Sequence, residues 1–106
     1  MDTITALALE LLQATKTLVE RCEQEDWDAI APIQAQREQL VAALDKESQQ
    51  PYPRDVLVGC RSLLTEAQAL EQRATQILTQ QKEEAGEAFQ KLKAADKARK
   101  AYDRFR

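Results

Sequence analysis

The chain has 106 residues, 18 acidic and 15 basic, for a formal charge of −3, with two glycines, three prolines, two cysteines and no histidine. That length carries one domain with a modest core, the β-branched and aromatic residues are too scattered for alternating strands, and no apolar run approaches the ~20 residues of a membrane span. Lacking histidine, a serine or cysteine beside a plausible base, and a glycine-rich phosphate turn, the chain is not expected to be an enzyme or to hold a metal or cofactor.

The class is all-α: an antiparallel bundle of three main helices with a short fourth helix at the carboxyl end, forming one domain over residues 1–106. Helix 1 is expected over about residues 3–25, capped by Asp2 or Thr3. Its stripe of Ile4, Leu7, Leu11, Ala14, Leu18 and Cys22 repeats every seven residues, with Leu12 and Val19 alongside. An acidic cluster around the sole tryptophan, Glu23-Gln24-Glu25-Asp26-Trp27-Asp28, then marks a corner between helices. There Asp26 would cap helix 2 and Trp27 would plug the corner.

Helix 2, over about residues 27–46, places Ile30, Ile33, Leu40, Val41 and Leu44 on one side. Pro32 implies a kinked first turn or a start near Ala31. Arg37 falls on the apolar stripe, where its guanidinium needs either a buried carboxylate or a path along its stem to water. Pro51-Tyr52-Pro53 enforces an extended connection. Helix 3, over about residues 54–86, is the longest element, with Cys60, Leu63, Ala67, Leu70, Ala74 and Ile77 in its stripe and Leu57, Leu64 and Leu78 widening it. The Glu and Asp residues read as solvated faces and caps, and Cys22 and Cys60 as reduced core thiols.

Gly86 weakens the helix, and a new apolar face of Phe89, Leu92, Tyr102 and Phe105 begins beyond it, giving helix 4 over about residues 92–105. Residues 87–106 hold seven Lys and Arg against three Asp and Glu, a net of +4, which leaves −7 for the first 86. The overall acidity argues against nucleic acid as a partner, and no membrane insertion is implied. With no basic-then-apolar amino terminus of the kind that directs secretion, the chain is expected in the cytoplasm.

Three segments in this order carry a resemblance: Glu25-Asp26-Trp27-Asp28 at a helix corner, Arg37 three residues before Leu40-Val41, and Lys97-Ala98-Arg99-Lys100-Ala101-Tyr102. Together they resemble the FliT family of flagellar export chaperones, over nearly the full length in helix order and size. The resemblance implies a chaperone for the flagellar filament cap protein. It would bind that protein's carboxyl-terminal helical segment and deliver it to the type III export gate or its ATPase. In some members the flagellar master transcriptional regulator is a further partner.

A compatible mechanism has helix 4 lying where an amphipathic client helix would lie, so that client binding displaces it. Leu64, Leu70, Ile77 and Leu78 would form the groove floor, with Phe89, Leu92, Tyr102 and Phe105 as the autoinhibitory plug. Asp26, Trp27 and Arg37 would be structural. For each of these groove and plug residues the competing reading is permanent core packing; for the chain as a whole it is a homodimeric helical adaptor or regulator whose long helices pair, with no export client.

Overall fold

Helix α1 (Thr3–Glu23) is the element against which the two other long helices pack. The structure, a computed structural model, describes residues 1–93, with side chains described to residue 90. Asp2 stands at the amino-terminal cap with extended backbone, without a capping hydrogen bond from its side chain. Ile4, Ala8, Leu11, Leu18 and Cys22 are removed from solvent completely, and Thr15 shares their face.

Helix α1 stops two residues before the expected end because its last turn closes on itself. The amide of Asp26 donates to the carbonyl of Arg21 at 2.9 Å, and that of Glu25 to Cys22 at 3.1 Å. This pattern places Glu25 in the left-handed region, φ 56°, where glycine normally sits. Glu25→Gly is therefore expected to stabilise the fold by about 0.5–1 kcal/mol, read as a higher urea midpoint at unchanged slope. A lower midpoint would show that the Glu25 side chain holds the turn.

The second helix does not begin at residue 27. A single 3-10 turn, Trp27–Ala29, comes first, and α2 runs Ile30–Glu47. Pro32, which has no N–H and whose ring crowds the carbonyl four residues back, thereby falls in the first turn, where no amide partner is needed. Asp26 precedes the 3-10 turn without capping it through its side chain. Ser48 ends α2, its amide donating to Leu44 and its hydroxyl to the carbonyl of Asp45 at 2.6 Å. In the connection that follows, the Tyr52 hydroxyl donates to the Glu47 carboxylate, which raises the tyrosine pKa above its ordinary value.

Helix α3 (Arg54–Gln80) starts directly after Pro53 and runs parallel to α1 and antiparallel to α2. Its buried row is Cys60, Leu64, Ala67, Glu71, Ala74 and Leu78, not the row centred on Leu63, Leu70 and Ile77, which lie half-buried on its flank. The buried row of α3 repeats, at an offset of 56 residues, the steps of four and three of Ile4, Ala8, Leu11, Thr15, Leu18 and Cys22 in α1, from Ile4 with Cys60 to Cys22 with Leu78. Thr5 Oγ1 meets Cys60 Sγ at 3.6 Å near the amino ends of the two helices.

The third helix also ends earlier than expected, at Gln80. A four-residue helix α4 (Lys82–Ala85) follows, then Gly86, then α5 (Glu87–Lys93); the helix expected over about residues 92–105 lies almost wholly outside the described residues. Gly86 has φ 51° and ψ −113°, a backbone open only to glycine, and it returns the chain so that α5 lies against both α2 and α3. The described residues form a rod of 45 × 20 × 18 Å.

Candidate functional site

The apolar interior comes in two parts. At the end near the connection between α2 and α3, Ile4, Ala8, Leu11 and Ala14 meet Leu40, Val41, Leu44, Cys60 and Leu64, with Tyr52, Val56 and Leu57 packed against them. At the corner end, Leu18, Val19 and Cys22 meet Ile30, Ala74, Leu78, Ala85 and Ala88, flanked by Trp27, Ile33, Leu70, Ile77 and Phe89. Both cysteines are free and buried. Burial, reinforced by Glu23, pushes the Cys22 thiol up to about 11, so it stays protonated at neutral pH.

Between the two clusters lies a layer of polar side chains. Arg37, 1% exposed, donates from Nε to Thr15 Oγ1 at 3.1 Å, from one terminal nitrogen to Gln34 Oε1 at 2.7 Å, and from the other to Glu71 Oε2 at 2.8 Å. The Thr15 hydroxyl donates in turn to the carbonyl of Leu11 at 2.7 Å. One guanidinium thus ties together three helices that share no sequence proximity. The Arg37–Glu71 pair is a charge-assisted contact, stronger than a neutral hydrogen bond. Of the two environments open to Arg37 from sequence, the structure has the buried carboxylate. Glu71 is correspondingly not the solvated acid expected; its side chain is only 12% exposed.

The proposed groove residues divide between the clusters. Leu78 is fully buried at the corner end, with Leu70 and Ile77 half-buried beside it, whereas Leu64 is buried in the other cluster against α1. Phe89 lies half-buried on the corner cluster, and Ala85 and Ala88 are buried within it. These two small residues let the chain's last described turns approach closely, a contribution that a search for large apolar side chains passes over. Leu92 lies in α5, but its side chain, like Tyr102 and Phe105, falls outside the described residues.

Trp27 packs half-buried on the corner cluster. Asp26 is exposed and pairs with Arg21 at 3.7 Å, a geometry that contributes little to stability. Arg37, grouped with these two from sequence, takes its bonds in the middle of the rod. Among the described residues no helix is long and apolar enough to cross a membrane.

The fold is thus an all-α bundle whose corner end is covered by Ala85, Ala88 and Phe89. A protein-family model described as "Flagellar protein FliT" matches residues 5–104. The chain belongs to the FliT family, a family of flagellar export chaperones. No curated protein and no solved structure gives a significant match.

Proposed function

We propose that this chain binds the carboxyl-terminal helical segment of the flagellar filament cap protein in the cytoplasm and delivers it to the export gate or its ATPase. The observation that carries the reading is the seating of residues 85–89. A short segment, joined to α3 through a glycine-only conformation, covers an apolar surface made by two other helices. That is how an amphipathic client helix would be received. Leu70, Ile77 and Leu78 are the groove residues such a client would meet, and Phe89 belongs to the plug it would displace. Leu92, Tyr102 and Phe105 extend the plug in this proposal on the strength of the sequence pattern.

The net charge of +4 on residues 87–106 against −7 on the remainder favours retention of that segment until a client competes for the surface. In the same reading the flagellar master regulator is a second client for the exposed groove. Calorimetric titration of the full chain with the cap protein's carboxyl-terminal segment tests the proposal. Saturable binding tighter than about 10 μM is expected; absence of heat and of co-elution in gel filtration at that concentration overturns it.

A further inference from the structure

We propose that the Arg37 layer divides the bundle into an end that opens and an end that stays shut, so that a helix accepted in place of residues 85–89 is met by the corner half of the core alone. Three observations lead there. Ala85, Ala88 and Phe89 all belong to the corner cluster, and among the described side chains no residue of α4 or α5 belongs to the other. Removing residues 85–89 therefore uncovers apolar surface at the corner end.

The layer itself is placed at the boundary in every long helix. Thr15 lies between Ala14 and Leu18, Gln34 and Arg37 between Ile30 and Leu40, and Glu71 between Ala67 and Ala74. The bonds from Arg37 to Thr15, Gln34 and Glu71, and from Thr15 to the Leu11 carbonyl, all lie within the three long helices, so these bonds do not depend on residues 85–89. Water reaching the layer meets polar atoms instead of an apolar cleft, and the drive to open further is lost. The far end, finally, is closed by its own elements, through Tyr52, Val56 and Leu57 on the cluster and Thr5 against Cys60.

The division identifies the client surface more narrowly, a step that rests on the displacement reading above. Leu70, Ile77 and Leu78 of α3, together with Ile33 of α2, form the floor. Leu64, on the far side of the layer, takes no part.

Hydrogen exchange of the full chain without any client, followed by mass spectrometry, tests the division. Amides in residues 18–23 and 74–80 are expected to exchange about tenfold or more faster than those in residues 8–14, 40–47 and 60–67. In the full-length double variant Arg37→Met/Glu71→Met the polar boundary is gone, and the two sets are expected to approach a common rate. A common rate already in the wild type overturns the proposal, as does a difference that the double variant leaves untouched, which would be ordinary end fraying. If that variant does not fold, Gly86→Ala decides: faster exchange at the corner alone supports the division, and equal acceleration at both ends overturns it. Because no client is present, failure of the cap-protein reading leaves these outcomes unchanged.

Discussion

Arg37→Ala is expected to destabilise the protein by about 3–5 kcal/mol, the largest effect of any single substitution away from the apolar core. The loss has two parts. Removing the guanidinium deprives Thr15, Gln34 and Glu71 of their shared donor, and it strands the Glu71 carboxylate in a site only 12% open to water. An uncompensated buried charge is what makes such breaks expensive. Glu71→Ala is expected to act in the same direction, because it removes the carboxylate that faces the buried guanidinium at 2.8 Å.

Replacing both partners with methionine, by contrast, is expected to change stability little or to raise it, because neither charge is then held out of water. Urea unfolding followed by far-ultraviolet circular dichroism reads all three variants. A fall of less than about 1 kcal/mol for Arg37→Ala would mean that the layer contributes no more than a surface pair.

Gly86→Ala is expected to raise client affinity between about 5- and 150-fold, the equivalent of 1–3 kcal/mol of coupling. A Cβ at position 86 would meet nothing within 4 Å, so no contact is lost or gained. The whole effect comes from the backbone, φ 51° and ψ −113°, which an L side chain adopts only at a cost of about 1–3 kcal/mol. The strain is relieved if the chain straightens at this point, which alanine also favours by about 1 kcal/mol through its helix propensity. Straightening takes α5 off α2 and α3.

Trp27, packed on the same cluster, supplies a readout that needs no client: its emission is expected to shift to longer wavelength when residues 85–89 leave. A shift in emission with unchanged client affinity would show that the segment moves but does not compete, and the displacement reading would fall.

Much of this architecture is legible in the residues. The seven-residue repeat of α1 announces a buried helix, and Pro51-Tyr52-Pro53 announces the connection before α3. The difficulty in α3 is one of phase. Its true central row passes through Glu71, and a charged residue there turns attention to the neighbouring row of Leu63, Leu70 and Ile77. Only the partner 34 positions earlier, Arg37, makes a carboxylate acceptable at that place.

The signal was nonetheless present. Arg37 sits conspicuously on an apolar stripe, and Glu71 falls in step with Cys60, Leu64, Ala67, Ala74 and Leu78. Gly86 illustrates a different limit. Its weakening of the helix is visible locally, but the sign of φ depends on where the following residues find a surface, and that surface is assembled from two distant helices. Trp27, Ala85 and Ala88 became part of one cluster for the same reason.

The constant offset of 56 residues between α1 and α3 sets a schedule for synthesis. At roughly 5–20 residues per second, the greasy side of the first helix leaves the ribosome roughly 3–11 s before its parallel partner exists. During that interval only α2 is available to shelter it, and α2 can supply Arg37 but no acid of the final arrangement. The nascent hairpin therefore holds Arg37 against Thr15 and Gln34 first, and the arrival of Glu71 adds a carboxylate to that site and sets the alignment in which the remaining turns close.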